Sequence, residues 1–208
     1  VVLEGRRVVN NIQRSASLFL VKNIFSFLLS LISLVFMFTY PLEPSQISLI
    51  SMFTIGVPAF FLALEPNKNI IKGLFLTNVF LKALPAAVTD ALAVGALLVF
   101  GRTFGVDSTD ISTAATMLLA IVGFMILYKI SAPMNKIRVG ILAGCIAGLL
   151  FCSIFLKDLF AITGMTMECV MLFVVFAIAT EPVLRYLTVL VEKMRFYYLK
   201  LRGRNTEE

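Results

Sequence analysis

Asp90 is an acid set deep inside an apolar run that extends from about Leu74 to Phe100. A charge at the centre of a bilayer costs at least about 2.5 to 3.5 kcal/mol, so the chemistry open to it is narrow. It must face a protein interior and find a partner, or be protonated. Lys82 lies eight residues earlier. That is about 12 Å along a helix axis, too far for a direct pair. Lys82 is expected to snorkel or to meet another helix. Other chemistries are closed: the chain has no histidine, which excludes imidazole catalysis and histidine-ligated metals within it. Its three cysteines, Cys145, Cys152 and Cys169, all fall in apolar runs and match no zinc or redox spacing. They read as small buried apolar side chains.

The elements that must position these groups are set by composition. Of 208 residues, 60% are hydrophobic and only 14% charged. A soluble domain has roughly a quarter of its residues charged, and a disordered chain is poor in apolar side chains, so both classes are excluded. About 20 apolar helical residues cross a bilayer. Six runs have that length: Leu18 to Tyr40, Ile47 to Leu64, Leu74 to Phe100, Ala114 to Ile130, Ile137 to Leu156 and Met165 to Leu184. They are continuously apolar and do not alternate, which argues against strands. Breakers such as Pro41-Leu42-Glu43-Pro44 and Ser131-Ala132-Pro133 separate them. The expected fold is an all-α membrane bundle of six transmembrane helices. Residues 1–17 would form a helical lead-in, 18–184 the membrane domain and 185–208 a basic tail. The chain opens on Val1 with no Met-led leader, as expected of a piece of something larger.

Positive charge orients the bundle. Arg6, Arg7, Arg14, Lys22, Lys68, Lys72, Lys129, Lys136 and Arg138 fall on one side, with Arg185, Lys193, Arg195, Lys200, Arg202 and Arg204 of the tail. The other side holds Arg102 and Lys157 beside Glu43, Asp107, Asp110 and Asp158. Both termini are therefore expected in the cytoplasm, in a plasma (inner) membrane. Tyr197-Tyr198 in the basic tail reads as an interfacial helix end drawn to anionic lipid, and no nucleic-acid partner is expected.

Three motifs stand in order near the start. Glu4-Gly5-Arg6-Arg7-Val8-Val9-Asn10-Asn11-Ile12 immediately precedes the first span. It resembles the EGRR-(I/V)-x-NNI stretch with which P-type cation ATPases pass from their phosphorylation domain into their fifth membrane helix. Pro41-Leu42-Glu43-Pro44-Ser45-Gln46 is similar to the PLxPxQ lead into their sixth helix, and Ser51-Met52-Phe53-Thr54-Ile55-Gly56-Val57-Pro58-Ala59 to their N-x-x-TDG-x-PA signature. The ten-helix classes of those pumps have six helices after the phosphorylation domain, the number of apolar runs here. The resemblance therefore implies the C-terminal membrane half, fifth to tenth helices, of a bacterial cation-transporting P-type ATPase. Its partners would be the first four membrane helices and cytoplasmic domains of the same pump, the transported cation and the lipid bilayer. The DKTG, TGE and GDGxND motifs are absent from these residues. The chain by itself is thus expected to hydrolyse no ATP and to hold no cofactor, with Mg-ATP used by the full-length pump. The first helix would act as a stiff lever on the ion site.

A cation held at mid-membrane needs inward-facing oxygen ligands. By the family pattern these are Asn23 and Ser26 on the first span and Ser51 and Thr54 on the second. Ser51 stands where calcium pumps carry Asn, Ile55 where they carry the Asp of TDG, and Ser26 where they carry an acid. That deficit implies at most one ion, with calcium slightly ahead of magnesium and manganese, and ligands shared with a helix outside this chain. The carbonyls before Pro58 border the same region. In related pumps the helix bearing Asp90 is not the main ion-binding element, so Asp90 reads as structural. Lys22 stands at a depth where some of those pumps place a basic counter-charge, although snorkelling is the simpler role. The alternative is a self-contained six-span secondary carrier or structural membrane subunit. A carrier of inverted repeats should show pseudo-symmetry, and none is evident between the first and last three spans.

Overall fold

A computed structural model describes residues 2–65 and 75–201. Lys68, Lys72, Arg202 and Arg204, used in the orientation argument, lie outside the described residues. Helix α1 (Val2–Val35) leads into a short loop. The second span is α2 (Pro44–Ser51), a π-helical turn (Met52–Gly56) and α3 (Val57–Leu64). Then come α4 (Phe75–Thr103), α5 (Ser108–Ser131), α6 (Lys136–Phe155) and α7 (Met167–Leu201). Six of the described segments are long and apolar enough to cross a membrane, and no strand occurs among the described residues. The all-α reading holds, and the spans fall close to the expected runs. Helix α1 passes through Ser17 and α7 through Leu184 without a break.

Helix α4 is the axis of the bundle, packed against α1, α7 and α5. Its sequence explains this. Ala83, Ala86, Ala87, Ala91 and Gly95 present little bulk, which lets neighbouring backbones approach closely, as small residues do between membrane helices. A Cβ on Gly95 would come within 3.2 Å of Ile32 on α1. Pro85 and Pro182 sit inside α4 and α7, and both helices continue through them. The Thr89 hydroxyl donates to the Pro85 carbonyl, 2.7 Å, within the turn that follows.

The two ends of the bundle are tied differently. At the end shared by both termini, Asn11 of α1 donates to the Ala63 carbonyl of α3, 3.0 Å. Lys129 of α5 donates to the Thr188 hydroxyl of α7, 3.1 Å. Arg138 of α6 reaches Glu65 at 2.6 Å and the carbonyls of Ser131 and Pro133 at 2.8 and 2.7 Å. At the opposite end Gln46, almost fully buried, donates to the Ala161 carbonyl at 2.9 Å and accepts from Ser112 at 2.8 Å. Its side chain also accepts from the Glu43 backbone N–H, 3.0 Å, closing the start of α2. Asp110 there accepts from the Thr166 N–H, 2.8 Å. The loop from Phe36 to Glu43 folds back onto the bundle and buries Leu42.

Candidate functional site

The second span would run as one regular helix on its apolar content alone. Instead its middle widens into a π turn, in which the Val57 N–H reaches back to the Met52 carbonyl. Such turns occur mostly as single insertions inside α-helices, frequently at functional sites. This one lies directly before Pro58, whose ring supplies no N–H to the ladder. Thr54, within the turn, is 3% exposed. Its hydroxyl donates to the Ile50 carbonyl at 2.8 Å, and the Ser51 hydroxyl donates to the Ile47 carbonyl at 2.6 Å. With their protons committed to backbone, both oxygens keep lone pairs for another group. That polarity suits a cation and not an anion.

A cavity of about 50 Å³ opens beside this turn. Ser51 and Thr54 line it from the second span, Lys22 and Ser26 from α1, Asp90 from α4 and Gly123 from α5. A space of that size, with these polar groups on a mostly apolar wall, has room for water or a small ion. Gly123 permits the approach of the turn: a Cβ there would stand 2.8 Å from the Thr54 methyl carbon. On α1 the cavity face is the helical stripe of Leu18, Val21, Lys22, Phe25 and Ser26. Asn23 lies off that stripe and is exposed. Lys82 is exposed and likewise does not line the cavity. Of the residues singled out from sequence, the fold thus gathers Ser26, Ser51, Thr54, Lys22 and Asp90, and leaves Asn23 and Lys82 outside.

Toward the end opposite the termini a wider vestibule of about 630 Å³ is lined by Tyr40, Gln46, Arg102 and Ser112 among others. Tyr40 links the two spaces, since its hydroxyl lies beside Ser26 of the inner cavity. Arg102 sits over the Phe38 ring at 4.7 Å, a cation–π contact at the vestibule wall. Among the described residues no three or more Cys, Asp or Glu side chains converge to hold a metal, and the three cysteines are free.

Comparison with known proteins shows what the chain as a whole is similar to. No family model matches the chain. It is 34% identical over 163 residues to a protein of Streptococcus pneumoniae named "Probable cation-transporting ATPase exp7", covering 74% of this chain and 21% of that one. It is 35% identical over 157 residues to "Calcium-transporting ATPase CtpE" of Mycolicibacterium smegmatis, covering 69% of this chain and 20% of that one. The protein of the same name in Mycobacterium bovis is 31% identical over 169 residues, covering 74% and 21%. The chain is thus similar to part of bacterial proteins named as cation-transporting and calcium-transporting ATPases. It spans about a fifth of the length of the curated relatives it matches. Against the pattern expected of these ATPases, three features were not legible in sequence: the π turn, Gly123 and Tyr40. Only Gln46 carried a signal, through the PLxPxQ resemblance, and it serves to fasten loops.

Proposed function

We infer that this chain is the membrane-embedded, C-terminal half of an ATP-driven cation pump and lines the path of the ion. One observation supports the reading most. The cavity between α1, the π turn, α4 and α5 presents hydroxyl lone pairs from Ser51 and Thr54 on a wall that is mostly apolar. Hydroxyl lone pairs whose own protons are already engaged are what a dehydrated cation requires. Ser26, Ser51 and Thr54 are the proposed protein ligands in this chain, with further oxygens from water and from segments outside it. Asn23 remains a candidate only if α1 turns about its axis during transport.

In this reading both termini are cytoplasmic, the membrane is the plasma membrane, and Mg-ATP is used by domains outside these residues. Helix α1, 34 residues long, spans about 50 Å at helical rise. It therefore extends past the bilayer and would carry motion of those domains to the Ser26 ligand. Calcium stands first among calcium, magnesium and manganese, because two of the relatives above are named calcium-transporting. The test is ATP hydrolysis by the full-length pump against those three cations, for wild type, Ser51→Ala, Thr54→Ala and Asn23→Ala. The Ser51 and Thr54 variants are expected to need more cation for half-maximal stimulation, and Asn23→Ala to behave as wild type. Wild-type dependence on cation in both hydroxyl variants would remove these ligands.

A further inference from the structure

Asp90 is 4% exposed, lines the cavity from α4, and has its Oδ1 without any hydrogen-bond partner. A buried carboxylate oxygen left in that state is costly unless a cation or a proton meets it. The rest of the wall does not supply the partner. The Ser51 and Thr54 hydroxyl protons are held by carbonyls of their own helix. Leu119, Gly123 and Ile126 on α5 bring no side-chain donor. The one cationic side chain on the wall is Lys22 of α1, half-buried.

We propose that Asp90 is the anionic ligand of a single divalent-cation site in this cavity, and that Lys22 opposes the cation there. The proposal rests on the transport reading and adds to it the charge that α1 and the second span lack. Where the resemblance predicts acids, those elements carry Ser26 and Ile55. Helix α4 brings a carboxylate to the same space from a different direction. A hard divalent ion binds oxygens, carboxylate above all, at about 2.3 to 2.6 Å in the case of calcium. One carboxylate, three hydroxyls and water make a fitting partial shell for one such ion. Lys22 lines the same wall, and its flexible stem would let the ammonium withdraw as the ion enters.

The test uses the purified full-length pump, with calcium, magnesium and manganese chloride as probes and the half-saturating cation concentration for ATP hydrolysis as readout. Asp90→Asn keeps the shape and is expected to raise that concentration about tenfold or more, the size of a lost charge-assisted contact. Asp90→Glu is expected to raise it less. Lys22→Met is expected to lower it. A stimulated wild type with an unchanged half-saturating concentration in Asp90→Asn overturns the proposal. Should Asp90→Asn fail to purify as a folded pump, Lys22→Met decides, and an unchanged or raised value overturns it. A wild type stimulated by none of the three ions defeats the transport reading itself and this proposal with it. Stimulation that is intact in the Ser51 and Thr54 variants but lost in Asp90→Asn supports the carboxylate and confines the failure to the hydroxyl ligands.

Discussion

Glu65 and Arg138 meet at the end of the bundle that carries both termini, and both are largely buried. Asn135 also donates to Glu65, through its side-chain amide. Burial by itself would raise the Glu65 carboxyl. The bonds from Arg138 and Asn135, with the charges of Arg138 and Arg14, outweigh it and hold the carboxyl below its usual value. Because the folded value is the lower one, the stabilisation is complete above the ordinary carboxyl range near about pH 4.3. It is lost as pH falls through the lowered folded value. Thermal unfolding in detergent should therefore show Glu65→Gln less stable than wild type at pH 7, with the gap closing below about pH 4. A constant gap down to pH about 3 would contradict this charge assignment. Arg138→Ala leaves the carboxylate buried without its main partner and should cost about 3 kcal/mol in the same assay. Neither residue drew notice as a pair in sequence, since 73 positions separate them. Only the meeting of α3 with the start of α6 brings them together.

The elements add a second kind of constraint, that of close approach. Helix α5 and the π turn touch where Gly123 faces Thr54, and a methyl group added there has no room. Gly123→Ala should push the turn away and cost about 1 to 3 kcal/mol, as overpacking does. It should also weaken cation stimulation of the full-length pump. Adding Thr54→Ser, which removes the methyl carbon in conflict but keeps the hydroxyl, should recover much of both losses. If the double variant is no better than Gly123→Ala alone, the contact is not what limits the site. The positions of the spans are legible in sequence because a bilayer demands long apolar runs. Which face of a span looks inward is much less so. In α1 the apolar residues go all the way round, so no polar stripe marks the interior. Neighbouring residues differ by about 100° around a helix, so Lys22 can line the cavity while Asn23 is exposed. The family pattern named both Asn23 and Ser26, and the packing of α1 on α4 separates them.

On the scale of the whole molecule, the charge asymmetry and the fold agree on two unlike ends. Lys129, Lys136 and Arg138 lie at the end of the termini, and Arg102, Lys157 and Asp158 at the other. If the basic end is cytoplasmic, a cysteine placed at Asp158 should react with a membrane-impermeant thiol reagent added to intact cells. One at Lys193 should react only after permeabilisation. The reverse pattern would invert the bundle and the direction of access to the cavity. Burial along the second span carries a further message about this fold. Ile50, Pro58 and Leu62 all face inward. At about 100° per residue, Ile50 and Leu62 would be about 120° apart in an unbroken α-helix, and discounting one residue brings them within about 20°. The π turn thus behaves as a one-residue insertion absorbed in place, with the helix on either side keeping its phase. Deleting a single residue from Met52–Gly56, the exposed Met52 for instance, would leave the packing of α2 and α3 in register and erase only the widened turn. If the cavity is the ion path proposed above, a three-nucleotide deletion here should abolish cation stimulation of the full-length pump while the fold survives.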